Sequence, residues 1–456
     1  MDISDQEQPL RPPTNPLGAT TVAPRPPATT IDSGALRKQM GVMVALTFAA
    51  SAVNYASNVV FGRMLTPASF GDFTAMLAIV VVVAIPTVAA QTVVAERLAV
   101  YRARRDDDAI RYLIRHALAH VALYACVLGI LYCISIPLVV SVLDLQAIGP
   151  ALALAPLLAV TFFIPVVYGV LQGLERFVVL GAVALGVATS RIVFGVPWTI
   201  AGGGAGGPIA GQAIGSFLAV AVMLFLARRF VIGRGTGAAT SGLRRRIDSR
   251  SMAAGGAFIV FALLSNLDVL LAKAFLTPDK AGSYAALATI GKIVLFLPAA
   301  VSVVMVPYVA RSRAATGSAS SILRISAIAV AAGASLVAVP AAIEPRLVLR
   351  VMFGGRYADA STGVLPIVLA STLLAILYLL VVYTVAIQDQ RWVYLLLGGV
   401  GLQVAAISLF HSSPSEIAVV QASVMLVILV LNELLFQPIL RAERLLRRGK
   451  PTALLS

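Results

Sequence analysis

Cysteine, histidine and charge are all scarce in this sequence. Two cysteines and three histidines in 456 residues exclude a disulfide scaffold and leave too few ligands for a cysteine/histidine metal centre. Cys126 and Cys133 lie two turns apart in one apolar run, about 10 Å of helical rise, which is too far for a relaxed disulfide and suits small apolar packing. His116 and His120 are spaced i,i+4, but no third ligand accompanies them. Charged residues make up 12% of the chain against 59% apolar, and mean hydropathy is +0.93. So few charges could not cover a water-soluble globule of this size. No long hydrophilic loop carries catalytic carboxylates, which argues against a polytopic transferase acting on lipid-linked sugars. The acidic triplet Asp106 to Asp108 sits in a short basic loop with no catalytic domain around it.

What the sequence does have is apolar runs. Twelve can be counted, over residues 41–61, 73–94, 117–143, 151–172, 177–200, 208–226, 252–276, 283–308, 322–343, 361–387, 392–410 and 417–440. As helices, each is long enough to cross roughly 30 Å of hydrocarbon. Their continuity, without strict alternation, favours helices over barrel strands. The expected fold is an all-α polytopic membrane protein. Its expected parts are a disordered cytoplasmic tail (1–37), an N-terminal six-helix lobe (38–230), a basic cytoplasmic linker (231–251), a C-terminal six-helix lobe (252–440) and a basic cytoplasmic tail (441–456).

The net charge of +15 is unevenly placed. Numbering the loops alternately, 27 of the 35 Lys and Arg residues fall on the side that also holds both termini, which the positive-inside rule assigns to the cytoplasm. Topology and anionic membrane lipids explain these charges better than nucleic acid does. The segment after the second run, AERLAVYRARRDDDAIRYLIRHAL, could form an amphipathic helix at the inner leaflet. Arginine outnumbers lysine thirty to five, a bias typical of GC-rich bacterial genomes, so the bacterial plasma membrane is the expected location.

The chain also says one thing twice. A shift of 211 aligns Leu65-Thr66-Pro67 with Leu276-Thr277-Pro278, Gly71 with Gly282, and Ala75, Ile79, Val83 and Ala89 with like residues through a whole apolar run. A shift of 215 aligns Val166-Val167-Tyr168 with Val381-Val382-Tyr383. Two six-helix halves of the same topology follow, the parallel-repeat arrangement in which transporters enclose a central site. Pro67 and Pro278 read as turn starters, and Gly71 and Gly282 as positions free of a Cβ where the chain re-enters the membrane.

Three charges fall inside the runs. Asp268, Lys292 and Arg191 lie roughly 12–14 Å from the outer ends of their spans. Each costs on the order of 3 kcal/mol in hydrocarbon unless it is paired or faces water. Asp268 could pair with Lys292 across the span 7/8 hairpin, or act as the acid that couples transport to protons or sodium ions. Arg191 then has no anionic partner. With Lys273 and Arg63 nearer the outer mouth, Arg191 and Lys292 suit a substrate carrying phosphate or pyrophosphate. Asn58 and Gln212 are candidate headgroup or sugar contacts, with interhelical hydrogen bonds as the alternative. No catalytic residue, cofactor or metal site is expected.

GRMLTPASFGDF, with Arg63, Leu65, Pro67, Phe70 and Gly71, resembles the first-loop pattern of the polysaccharide and O-antigen (Wzx-type) flippases. NLDVLLAKAFLTPDKAGSYAA and VMFGGRYADA resemble their span 7 loop and their short phenylalanine-glycine and tyrosine motif. The superfamily includes the multidrug and toxin extruders and the lipid II flippases. The resemblance implies two six-helix lobes in a V around a central cavity, and cationic cavity residues that receive a polyprenyl-diphosphate-linked oligosaccharide. It also implies glycan polymerases or glycosyltransferases of the same pathway as partners. The alternative within the superfamily, a cation-coupled drug extruder, would favour an acidic cavity.

Overall fold

A computed structural model describes residues 33–228, 230, 249–295, 297, 298, 301, 319–387 and 392–436. Residues 1–32 and 437–456, most of the basic linker (231–248) and most of the eighth run beyond Leu295 lie outside the described residues; Ser33 to Arg37, expected in the disordered tail, begin a helix instead. The first lobe contains α1 (Ser33–Met64), α2 (Pro67–Ala103), α3 (Asp107–Val142), α4 (Gly149–Thr161), α5 (Phe163–Gly173), α6 (Phe177–Trp198) and α7 (Gly206–Leu226). The second contains α8 (Ser249–Phe275), α9 (Pro278–Val294), α10 (Ala319–Ile343), the short α11 (Pro345–Phe353), α12 (Val364–Ile387), α13 (Trp392–Leu409) and α14 (Pro414–Phe436). Among the described residues, eleven helical segments are long and apolar enough to cross a membrane. The described part of the eighth run is α9.

The helix ends follow from local chemistry. Thr66 caps α2, accepting from Ser69 N, and Pro67 fills the first helical position, where a missing N–H costs nothing. Asp106 caps α3, accepting from Ala109 N at 2.9 Å, with Asp107 and Asp108 in the first turn against the helix dipole. The acidic triplet is therefore a helix start. No interfacial helix separates α2 from α3: with no glycine or proline between Thr87 and Ala103, α2 runs on unbroken for 37 residues. Two helix irregularities lie beside prolines: α4 and α5 meet at Phe162 just before Pro165, and a π-helical turn (Thr199–Gly203) follows Pro197.

Both lobes pack to one plan. In the first, α1 packs on α6, α6 on α7, α7 on α4, α4 on α3 and α5 on α2; in the second, α8 packs on α13, α13 on α14, α14 on α12, α12 on α10 and α12 on α9. The hairpins repeat bond for bond: Leu65 N–H donates to Phe61 O and Phe70 N–H to Thr66 O, as Leu276 N–H does to Ala272 O and Ala281 N–H to Thr277 O. Those pairs keep the offset of 211 found in the sequence. The fold is the expected one, an all-α membrane protein of two parallel six-helix repeats. Leu123, Ile130, Ile134 and Leu138 form an exposed apolar stripe on α3, suited to lipid.

The lobes do not meet evenly. One buried core runs through α2, α8 and α9 and joins both lobes at the end carrying the α1–α2 and α8–α9 hairpins, here called the hairpin end. At the opposite end, the termini end, Val94, Leu98, Ile110, Ile114, Leu171 and Phe230 belong to a separate core that no described residue of the second lobe joins. The lobes are thus sealed at the hairpin end.

Candidate functional site

The seal is built from the repeated loops themselves. Gly71 and Gly282 lie backbone to backbone: a Cβ on Gly71 would sit 3.0 Å from Gly282 N, and one on Gly282 would overlap the Pro67 carbonyl. Neither glycine has a positive φ. Each lacks a Cβ because the other lobe's backbone occupies that space, whereas the sequence had suggested a demand of the turn.

Asp72 follows Gly71 and reaches across the lobes. Its Oδ1 lies 2.7 Å from Lys273 Nζ, with both side chains almost fully buried. Lys273 Nζ also donates to the Asp144 carbonyl at 3.0 Å, and Gln146 N–H donates to Asp72 Oδ2 at 3.1 Å. Asp144 has a left-handed backbone (φ 43°), which turns this carbonyl-bearing segment after α3. A second clasp comes from the segment after α10. Arg63 donates to the carbonyls of Met352 (2.9 Å) and Val351, and Arg356 to those of Leu65 and Arg63 (both 3.1 Å). Tyr357 OH donates to Gly62 O at 2.9 Å. Phe70 packs against Phe353 (5.7 Å between ring centres) and Tyr357 (6.2 Å), and Phe61 against Phe73 (5.7 Å). Arg63 and Lys273, expected as phosphate ligands at the mouth, are held here in bonds between the lobes.

Beneath the aromatic layer the structure gathers three predicted residues into one cluster. Arg191 on α6 donates to Gln212 Oε1 on α7 (3.1 Å from Nε) and to Ser57 Oγ (3.1 Å) and Asn58 Oδ1 (3.4 Å) on α1. Its guanidinium lies over the Phe73 ring at 5.9 Å. Arg191 is 6% exposed, and among the described residues no carboxylate lies within ion-pair distance of it. Neutral acceptors satisfy its N–H groups while leaving its charge uncompensated, so the cluster projects a positive field. The equivalent helices of the second lobe are joined by neutral groups: Gln403 Nε2 donates to Gln421 Oε1 (2.8 Å) and both amides donate to Leu264 O (3.2 Å). The repeat is symmetric in backbone and asymmetric in charge.

The remaining predicted residues meet on α8 and α9 in a different pairing from the one expected. Lys292 Nζ donates to Asn266 Oδ1 at 3.1 Å, and Asp268 Oδ2 accepts from Tyr284 OH at 2.7 Å. No Asp268–Lys292 contact falls within ion-pair distance, because Tyr284, two helical turns before Lys292 on α9, takes the carboxylate first. Asp268 Oδ1 is buried without a hydrogen-bond partner. Tyr284→Phe removes the donor to a buried carboxylate. It is expected to cost about 1–3 kcal/mol, seen as a lower thermal-unfolding midpoint in detergent. An unchanged midpoint would show that the bond contributes nothing.

The sequence assigns Asp72 no role, and it offers Tyr284 and Tyr357 only as parts of the loop motifs and Arg356 only as a loop charge. A signal for Asp72 existed: it is an acid one residue after a repeated glycine, and the facing hairpin supplies Lys273. It was missed because the second span was started at Phe73, whereas α2 begins at Pro67 and carries Asp72 inside the helix.

No protein-family model and no curated protein matches this sequence. Solved structures do match. The chain is similar to the inward-facing conformation of a multidrug resistance MATE family transporter of the MOP superfamily, with 14% identity, a TM-score of 0.61, and 90% of this chain and 99% of that one covered. It is similar to the lipid II flippase MurJ in an inward closed conformation, with 13% identity, a TM-score of 0.65, and 91% and 93% covered. The outward-facing conformation of such a MATE transporter aligns with 12% identity, a TM-score of 0.52, and 92% and 97% covered. The chain has the two-repeat helical fold of membrane transporters and flippases.

Proposed function

We propose that this protein is a flippase that moves a polyprenyl-(di)phosphate-linked oligosaccharide from the inner to the outer leaflet of the bacterial plasma membrane, for cell-envelope polysaccharide. The observation that carries this reading is Arg191: a buried guanidinium without a carboxylate, held by Gln212, Ser57 and Asn58 so that it can exchange neutral acceptors for phosphate oxygens. Half-buried Lys292, which donates to the neutral Asn266, adds a second cation. A drug extruder that attracts cations would want an accessible acid, and the buried acid Asp268 is engaged by Tyr284.

In this reading the hairpin end faces outward and both termini lie in the cytoplasm, as the distribution of Lys and Arg supports. The conformation described here is then closed to the outside and accepts substrate from within. Phe73 packs under Arg191 and directly follows Asp72, so a diphosphate drawn onto Arg191 acts on the same stretch of α2 that holds the Asp72–Lys273 pair. Breaking that pair and the Arg63 and Arg356 clasps opens the outer mouth while the prenyl chain stays in lipid. Proton or sodium coupling would act at Asp268.

The test is reconstitution into liposomes with a panel of fluorescently labelled polyprenyl-diphosphate oligosaccharides. Translocation above empty liposomes is expected, and its absence across the panel removes the proposal. Arg191→Ala is expected to reduce transport about tenfold or more, the loss of at least one charge-assisted contact. Lys280→Ala, which removes an exposed side chain bonded to Ser412 O, should change it little. Equal effects at matched expression would refute the role given to Arg191.

A further inference from the structure

Two tight turns lie side by side at the termini end of the first lobe. The turn after α2 closes with Arg105 N–H to Arg102 O and Asp106 N–H to Tyr101 O; the turn after α5 closes with Glu175 N–H to Gln172 O and Arg176 N–H to Leu171 O. The left-handed position is held by Arg105 (φ 57°) in one and Glu175 (φ 56°) in the other. Glycine is the low-strain choice there, since a Cβ crowds the following carbonyl. Strain kept at a charged residue directs attention to what its side chain does.

Arg102 ties the turns together, donating to the Leu174 carbonyl and lying 3.5 Å from Glu175. Between the turns and the end of α7 is a cavity of about 440 Å³, lined by Arg102, Arg105, Arg176 and one acid, Asp107, with buried Ile110 and Phe230 among its apolar walls. Asp106 makes no ion pair with these arginines; its carboxylate caps α3. The cavity also sits at a particular depth: apolar segments end at Gly173 and Leu226 and begin at Asp107 and Phe177, all beside it.

We propose that this cavity is a binding site for the headgroup of an anionic phospholipid. Arg105 and Arg176 take the phosphate oxygens, since guanidinium forks match phosphate geometry. Half-buried Leu226, at the end of α7, meets the glycerol end of the acyl chains. The position at the ends of the spans favours a lipid over a soluble phosphate, which has no need of it. The site lies on the outer flank of one lobe, apart from Arg191 and the gate, and the inference rests only on the chain spanning a membrane.

The test is native mass spectrometry of the full-length protein in detergent, titrated with phosphatidylglycerol and with phosphatidylcholine. The wild type is expected to prefer phosphatidylglycerol by about tenfold, the scale of one charge-assisted contact. The Arg105→Gly/Arg176→Gln double variant should lose that preference, while Arg350→Gln, at the far end of the molecule, keeps it. Arg105→Gly alone should unfold in lipid-free detergent at the wild-type temperature or above, since glycine relieves the left-handed strain. An unchanged preference in the double variant overturns the proposal, as does a lowered unfolding temperature for Arg105→Gly. Inorganic phosphate at millimolar concentration should leave lipid binding intact; if it binds the wild type, displaces the lipid and fails to bind the double variant, the ligand is soluble phosphate and the lipid assignment falls.

Discussion

Lys273→Ala is expected to open the hairpin end. The substitution strands Asp72, a carboxylate 1% exposed, without its cation. Removing one partner of a buried pair costs about 3–5 kcal/mol because the remaining charge stays desolvated. The cost falls only on the closed conformation, since separated lobes expose Asp72 to water. The balance between closed and open should therefore move by roughly 10²–10⁴ towards open. Spin labels at Met64 and Asp279, both exposed on the two hairpins, read this directly in a background with Cys126 and Cys133 replaced. The short distance of the closed state should give way to a longer one, and Asp72→Lys/Lys273→Asp should recover part of the closed population. An unshifted distance in Lys273→Ala would mean that the glycine contact and the Arg63 and Arg356 clasps hold the seal alone.

Gly282→Val should abolish transport while leaving the fold intact. The space for a side chain at Gly282 is filled by the Pro67 backbone, which cannot rotate aside as a side chain could. Relief requires the lobes to part at the hairpin end, so the variant is barred from the closed conformation and cannot complete a cycle. Gly398, whose Cβ would meet nothing within 4 Å, provides the control: Gly398→Ala should transport normally. Both variants should insert and run as the wild type on size exclusion, because Gly282 contributes to the seal rather than to either lobe's own packing. Transport by Gly282→Val near the wild-type rate would show that the cycle does not need the close contact between the two hairpins.

The two experiments probe the same surface through different forces. Charge removal weakens an attraction and shifts a population, whereas an added side chain creates an overlap that no population shift within the closed state can avoid. Agreement between them would identify the repeated loop as the moving seal.

The helices and the repeat were legible in the sequence because lipid simplifies the problem. A backbone in hydrocarbon must satisfy its own hydrogen bonds, so long apolar runs become helices, and a duplicated segment keeps its hairpin: Leu65-Thr66-Pro67 and Leu276-Thr277-Pro278 make the same turn with the same bonds. Depth was legible too, which is why Arg191, Asn58 and Gln212 could be suspected separately before they were found together. Their joining depends on the rotation of α1, α6 and α7 about their axes, which apolar runs without clear periodicity leave open.

What only the tertiary structure decided was partnership. Lys273 could have met Asp268, a substrate or water; the packing of α2 on α8 gave it Asp72 and the Asp144 carbonyl. Asp268 could have met Lys292; a tyrosine on α9 reached it first. Gly71 and Gly282 looked like requirements of a turn and proved to be requirements of two backbones in contact. The sequence by itself determined helices, topology and the scarcity of acids to match the buried cations, because these depend on local composition. Which charge meets which depends on how two lobes face each other across a seam, and that is set by contacts between segments some two hundred residues apart.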